Sequence, residues 1–137
     1  MRTLILFNYD WDKVGFARNE AVYPFDEAGF DLFSFPSNAQ LAWFDLARFV
    51  NRLAKLAKSR GWTAVVSNHE QFGALAAALL AERMGWPGTS VDAVLACQHK
   101  LYARQKLAEV CPSASCSFEP LNAAYGESIP PGLTYPA

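Results

Sequence analysis

The chain has 137 residues, close to the commonest size of a single domain. Hydrophobic residues make up 52% and charged residues 18%, which provides material for a core and excludes a disordered chain. Twelve basic against thirteen acidic residues give a net charge of −1, so no long-range field favours nucleic acid or an anionic membrane as a partner. The longest apolar stretch is shorter than the about 18 residues of a membrane-spanning helix. Three cysteines without metal-ligand spacing favour a reduced, cytoplasmic location.

The first half of the chain predicts two strands and two helices. Residues 3–8 are a short apolar run typical of a buried strand. Residues 19–28 are a candidate short helix, and residues 30–35 are a candidate second strand. A long helix is predicted over residues 38–60, with Gly61 as its stop. Its apolar positions repeat every three or four residues, as expected for a buried stripe: Leu46, Phe49, Val50, Leu53, Leu56 and Ala57.

Four basic residues lie on the other faces of this long helix: Arg48, Arg52, Lys55 and Lys58. They could bind an anionic partner. A solvated helix face is the more common reason for such a pattern, and we favour it at this stage.

The second half continues the alternation of strands and helices. Residues 62–67 are nearly all apolar and predict a third strand, followed by a helix over residues 71–84. Thr89 or Ser90 can cap a further helix. Helical character then continues through residues 100–109. Strands that alternate with helices of ten or more residues predict an α/β fold with a parallel, doubly wound sheet.

The last part of the chain has a different composition. Residues 112–137 hold five of the eight prolines and no Lys or Arg. Such a segment is typical of a linker or of an edge segment packed on its domain. We expect order only where it packs, around Phe118 and Leu121.

The loops after the strands are the expected ligand-binding positions, because open parallel sheets bind ligands at the carboxyl ends of their strands. After the first strand come Asn8 and Asp10 among bulky neighbours, where a dinucleotide site would need glycine. No Gly-x-Gly-x-x-Gly or Gly-x4-Gly-Lys-Ser/Thr motif occurs, which argues against a stand-alone NAD enzyme or P-loop NTPase. Asp10 and Asp12 could bind a metal ion, but two solvated carboxylates are the more common case.

The loop after the third strand contributes four candidates for a substrate cleft: Ser67, Asn68, His69 and Glu70. His69 could act as an acid–base group with Glu70 as its partner. Alternatively, Ser67 or Asn68 caps the next helix and Glu70 lies in its first turn. We favour capping, which is compatible with a chemical role. No residue is predicted to be catalytic or to bind metal.

A linked set of motifs extends over residues 63–118. The third strand and its polar loop lead into a helix, the turn Gly85-Trp86-Pro87-Gly88 and then the Ser90 cap. Lys100 follows, with Arg104 four residues later. As a set, these motifs resemble the N-terminal (pre-ATP-grasp) domain of the ATP-grasp ligases, the superfamily of biotin carboxylase and carbamoyl-phosphate synthase.

The resemblance implies a Rossmann-like, three-layer domain over residues 1–118 with a parallel sheet of about four strands. Residues 119–137 would be a Pro-rich connector toward an ATP-grasp domain beyond Ala137. The implied function is the substrate and nucleotide cleft of an ATP-dependent carboxylate–amine ligase, not catalytic in isolation, with Asn8, Asp10 and residues 67–70 as substrate-cleft candidates. Lys100 would bind the nucleotide.

The implied cofactors are ATP and Mg²⁺ in the full-length protein, and none in this chain. The implied partners are the chain's own ATP-grasp domain and a small-molecule substrate, without nucleic acid or membrane, and a homodimer is left open.

Three positions depart from the family's pattern. His99 stands where the family has Asp before the lysine, and Cys116-Ser117-Phe118 replaces Pro-x-Phe. Asn68 occupies the position of a glutamate in biotin carboxylases, so biotin is not supported as a substrate. Two alternatives stay open: a stand-alone flavodoxin-like module that binds a small molecule or a partner, and one half of a two-domain transferase.

Overall fold

The computed structural model describes residues 2–120, and the chain forms two compact units, Met1–Val94 and Leu95–Ala137. The first unit contains three strands: β1 (Arg2–Leu6), β2 (Phe25–Ala28) and β3 (Trp62–Ser67). Its helices are α1 (Asp10–Ala17), a 3₁₀ helix (Ser37–Trp43), α2 (Leu46–Arg60) and α3 (Phe72–Met84). Helix α4 (Val91–Gln98) begins in the first unit, and the second contains α5 (Lys100–Val110) and a 3₁₀ turn (Pro112–Ala114).

The sheet is parallel, with the strand order β2-β1-β3. Strand β1 is central: Leu4 pairs with Asp26 on one side and with Val65 on the other, and Leu4 and Leu6 are fully buried. The predicted α/β class with a parallel sheet is therefore confirmed. Residues 2–120 contain three strands, one fewer than the about four that the resemblance to the ATP-grasp ligases implied.

Helices α2 and α3 pack on each other and on the sheet, and together they form the core. The Asp45 carboxylate starts α2 by accepting a hydrogen bond from the Arg48 amide at 2.9 Å, and Gly61 ends it in the left-handed conformation. The buried side chains of both helices contact those of β1 and β3 in one cluster, whose main members are Leu4, Leu6, Phe49, Val50, Leu53, Ala57, Trp62, Val65, Ala76, Leu80 and Ala81.

Three predictions in the first half of the chain were wrong. Residues 19–28 are not a helix but end in β2, and residues 30–35 form no strand. The helix predicted over residues 38–60 is two elements, because Asp45 starts a new helix after the 3₁₀ segment. Strand β2 is held by partners distant in sequence: the Asp26 carboxylate accepts hydrogen bonds from Arg2 Nη2 and from Trp62 Nε1, both at 2.6 Å.

The second half agrees closely with the sequence. Strand β3 has the predicted bounds, and α3 begins one residue later than predicted and ends at left-handed Gly85. Ser90 Oγ accepts a hydrogen bond from the Ala93 amide at 3.1 Å, as expected for a cap. Within residues 2–120, no helix is long and apolar enough to cross a membrane. The predictions for Leu121 and for most of the 119–137 connector lie outside the described residues.

Candidate functional site

The chain turns sharply at the end of β1, and this turn sets the position of the first candidate loop. Phe7 has a φ of 53°, an uncommon value for a bulky residue, and its amide donates to the Ala28 carbonyl at 2.9 Å. Its ring is fully buried among four other phenylalanine rings. Gly29 makes room for it, since a Cβ there would lie 2.7 Å from Phe7 Cδ1. Strained backbone held by a packed core is frequent at functional sites.

Four side chains at the carboxyl ends of the three strands form a hydrogen-bonded cluster that we call the polar network: Asn8, Asp12, Glu27 and Asn68. Asn8 Nδ2 donates to Glu27 Oε1 at 2.6 Å, which joins the ends of β1 and β2. Asn68 Nδ2 donates to Asn8 Oδ1 and to Asp12 Oδ2, both at 3.1 Å, which joins the ends of β1 and β3. Asn8 is buried, so its amide needs these partners.

The polar network lies at the point where the strand order reverses. From β1 the chain moves to β2 on one side and then returns to β3 on the other side of β1. The crevice between the carboxyl ends of β1 and β3 is therefore the topological switch point, where open α/β sheets bind their ligands. Asn8 and Asn68 follow the two strands that meet there, and their side chains are hydrogen-bonded to each other.

The loop after β3 is built differently from the sequence prediction. Ser67 Oγ donates to the Leu6 carbonyl at 3.0 Å and accepts from the His69 amide at 3.1 Å, so Ser67 closes the loop rather than capping α3. Asn68 belongs to the polar network. His69 instead provides a hydrogen-bond acceptor for a free amide in the first turn of α3, because its Nδ1 accepts from the Gly73 amide at 3.2 Å. The prediction that Ser67 or Asn68 caps α3 was wrong, since both side chains have partners across the sheet.

His69 is held as a neutral donor. Because Nδ1 accepts the Gly73 amide proton, the ring proton of the neutral form lies on Nε2. Burial lowers the pKa of His69, and the Glu70 carboxylate acts in the opposite direction. At neutral pH the ring offers an N–H donor rather than a charge.

Three aromatic side chains border the same edge, and we call Tyr9, Trp11 and Phe33 the aromatic wall. Tyr9 stacks on Trp11 with ring centroids 4.7 Å apart and an interplanar angle of 20°, and Phe33 lies 5.0 Å from Tyr9 and 6.0 Å from His69. Trp11 is 64% exposed and Phe33 62% exposed, while Tyr9 is buried. Burial, followed by the charge of Asp12, raises the pKa of Tyr9, so its hydroxyl is protonated at neutral pH.

Asp31 positions the loop that carries Phe33. Its carboxylate accepts from the Phe33 amide at 2.8 Å, the Ser34 amide at 3.2 Å and Ser34 Oγ at 2.7 Å. The Ser34 hydroxyl, and then the Phe33 amide, lower the pKa of Asp31. The charge of Asp31 is thereby used to fix the turn.

The predicted substrate-cleft residues of the first unit do not all belong to the polar network. Asn8 and Asn68 form the centre of the network, whereas Ser67 Oγ donates to the Leu6 carbonyl and His69 Nδ1 accepts from the Gly73 amide, both outside the network. Asp10 instead pairs with Lys13 at 2.6 Å on the exposed start of α1. Sequence reasoning missed Glu27, because its strand was predicted as a helix, and it missed the aromatic wall altogether. The only available signal was the density of aromatic residues near the first two strands.

Lys100, which the resemblance implies binds the nucleotide, is the first residue of α5 in the second unit. His99 Nδ1 accepts from the Tyr102 amide at 3.2 Å and so caps this helix. His99 therefore supplies the acceptor that the family's aspartate could supply at a helix start. Lys100 is exposed, and Arg104 follows one turn later on the same helix face.

Among residues 2–120, no group of three or more His, Cys, Asp or Glu side chains is arranged to hold a metal ion. Cys97, Cys111 and Cys116 are free and exposed. Searches with this chain against protein-family models, curated proteins and solved structures find no significant match.

Proposed function

We propose that this chain is the N-terminal domain of an ATP-dependent carboxylate–amine ligase of the ATP-grasp superfamily and forms one wall of its substrate cleft. The observation that carries the proposal is the order in which the linked motifs fall on the elements. Strand β3, its polar loop and α3 lead into the Gly85–Gly88 turn, and the Ser90 cap and α4 follow. Lys100 then begins α5. The whole set, residues 63–118, extends over about two fifths of the chain in the order that the family has.

The proposal gives each part of the chain a role. The polar network and the aromatic wall contact the small-molecule substrate, because they offer amide and carboxylate groups beside an exposed apolar surface at the switch point. His69 donates from Nε2 to that substrate. Lys100 contacts the nucleotide as a compact cation. The proposal includes a Rossmann-like, three-layer sheet of about four strands, one more than residues 2–120 contain, and a cytoplasmic location.

ATP would transfer its γ-phosphoryl group to a carboxylate and release ADP, with Mg²⁺ offsetting the phosphate charge, and an amine would then displace the phosphate from the acyl phosphate. Phosphoryl transfer depends on metal ions and cationic clamps. The described residues do not fit a Mg²⁺ site, and we assign that ion to none of them. The part left to this chain is to bind and orient the substrate and to contact the nucleotide through Lys100.

Calorimetric titration of the full-length protein with ATP tests the assignment of Lys100. We expect Lys100→Ala to weaken ATP binding by about 1.5–3 kcal/mol, the range for a hydrogen bond to a charged group. Lys100→Arg should recover only part of the affinity, because a planar fork does not replace an ammonium. Lys58→Ala removes an equally exposed lysine from α2 and serves as the control. Equal affinities for the Lys100→Ala and Lys58→Ala proteins would refute the assignment.

The alternative is a stand-alone binding module. One observation favours it: the polar network joins all three strand ends using residues of the first unit alone. The nucleotide sequence that follows the codon of Ala137 separates the two proposals. An apolar strand with Lys-Pro and a Gly-rich loop would support the ligase, and a stop codon would support the module.

A further inference from the structure

A groove along α2 contains side chains that the proposed function does not use. It has a volume of about 1010 Å³ and extends from Gly29 and Phe30 to Lys55. The half-buried Phe30 and Phe44 contribute its apolar surface, and Trp43 lies at its border with 82% of its surface exposed. An exposed tryptophan beside an apolar groove is typical of interaction surfaces.

One side of this groove carries three cations: Arg48, Arg52 and Lys55. All three are exposed, and none forms an ion pair with another described residue. The Arg52 guanidinium lies 5.6 Å from the centre of the Phe49 ring, which holds its charge over the groove. Asp45 is the one acidic residue in the lining, and its carboxylate is engaged at the start of α2.

We infer that this groove binds an acidic segment of a partner protein that carries an apolar anchor residue. The three cations are spaced by four and three residues, so they extend over about 10 Å of one helix face. About four residues of an extended chain cover that distance, which fits a short run of Asp or Glu. The anchor residue would pack against Trp43 and the phenylalanine rings, and Trp and Arg are the residues that most often dominate binding energy.

Charge argues for a short acidic segment rather than a nucleic acid. The whole chain has a net charge of −1, and Asp12, Glu27 and Asp31 lie at the carboxyl edge of the same unit. The acidic residues of the chain would repel a long polyanion such as a nucleic acid along its length. A short acidic segment would contact only the three cations of the groove. The inference does not depend on the proposed ligase function.

A labelled synthetic peptide, Gly-Glu-Glu-Phe-Glu-Glu-Leu-Gly, tests the inference by fluorescence anisotropy with the purified chain. We expect saturable binding that weakens at high salt, and none by the peptide with Gln in place of Glu. Arg52→Glu should weaken binding about tenfold, because it sets like charges against each other. Lys58→Glu changes the net charge equally but lies outside the groove, so it should change binding less than twofold.

Trp43→Ala separates the apolar contribution from the charges, and it should weaken binding severalfold with an unchanged salt dependence. Circular dichroism of each variant establishes that the fold is retained. The inference is overturned if the peptide does not bind at about 1 mM, a limit that corresponds to only about 4 kcal/mol. Equal loss in Arg52→Glu and Lys58→Glu, or tighter binding of a single-stranded oligonucleotide, overturns it as well.

Discussion

The polar side chains at the carboxyl edge of the sheet are paired with one another, whereas the cations in the groove along α2 have no acidic partner among the described residues. At the carboxyl edge, Asn8, Glu27 and Asn68 satisfy one another within the folded unit. In the groove, Arg48, Arg52 and Lys55 have no acidic partner among the described residues. The first arrangement contributes to stability, because it pairs the buried side chain of Asn8 within the folded chain. The second contributes little to stability, and its charges remain available for a partner.

The largest change in stability is expected at Gly73, which packs against Ser67 and His69 in the loop after β3. A Cβ at Gly73 would overlap Ser67 Oγ and lie 2.8 Å from His69 Cβ. We expect Gly73→Ala to lower the free energy of unfolding by about 3 kcal/mol, the upper range for overpacking. Gly15→Ala is the matched control, since a Cβ there meets nothing within 4 Å in α1 and should stabilise by about 0.5–1 kcal/mol. Urea denaturation measures both, and similar midpoints would contradict the close packing.

The next effect tests the polar network itself. Asn8→Ala removes the group that both Glu27 and Asn68 contact, so a carboxylate and an amide lose their partner. We expect a loss of about 2 kcal/mol in the free energy of unfolding, the range for unsatisfied polar groups. Asn19→Ala, at an exposed asparagine that bonds only to a carbonyl of its own helix region, should cost about 0.5 kcal/mol. If both variants lose the same amount, the network does not contribute as described.

A smaller effect depends on pH and comes from the pair that holds β2. The hydrogen bonds from Arg2 and then Trp62 lower the pKa of Asp26. Because the folded-state pKa is lowered, the stabilisation is present above the unfolded pKa near 3.8 and is lost as pH falls through the folded value. Asp26→Asn should therefore cost about 1 kcal/mol at pH 7, discounted for solvent screening, and this difference should disappear at acidic pH.

Denaturant titrations between neutral and strongly acidic pH measure this dependence. The exposed Glu119 provides the control, and Glu119→Gln should change the free energy of unfolding at pH 7 by less than about 0.5 kcal/mol. A constant difference between wild type and Asp26→Asn at all pH values would show that the loss is not electrostatic.

The smallest effect is expected in the groove. Lys55→Ala should change the free energy of unfolding by less than about 0.5 kcal/mol, because an exposed side chain without an ion pair contributes little. Thermal denaturation followed by circular dichroism is sufficient to detect a larger change. A loss comparable to that of Asn8→Ala would remove the contrast between the two regions.

The sequence predicted best where local signals and burial agree. Strand β3 is a continuous apolar run, and Gly61 and Gly85 mark helix ends through their left-handed conformation. Strand β2 was missed because its residues are half polar: Asp26 and Glu27 face partners on Arg2, Trp62 and Asn8 that only the folded sheet brings near. Pairing between distant segments, rather than local preference, decides such an edge strand.

The same reasoning explains the mixed result at the candidate site. The carboxyl ends of parallel strands share one edge of a sheet, and Asn8 and Asn68, which follow two of these strands, are hydrogen-bonded to each other there. Partners within those loops could not be assigned, because Ser and Asn are common capping residues and their actual partners, the Leu6 carbonyl and Asn8, are brought near only by the folded sheet. Glu27 and Phe33 could not be predicted as site residues, because the sequence analysis assigned residues 19–28 to a helix and residues 30–35 to a strand.

The left-handed turn at Phe7 has a consequence for how tightly the switch-point crevice can bind. Asn8 follows directly after a ring that packs among four other rings and its own side chain is hydrogen-bonded, so the start of this loop is ordered by the folded core. The conformational entropy of this loop is lost during folding and is not lost again when a ligand enters. A substrate bound there, as proposed for the ligase, would therefore lose less loop entropy on binding than one held by the same side chains on a loose loop.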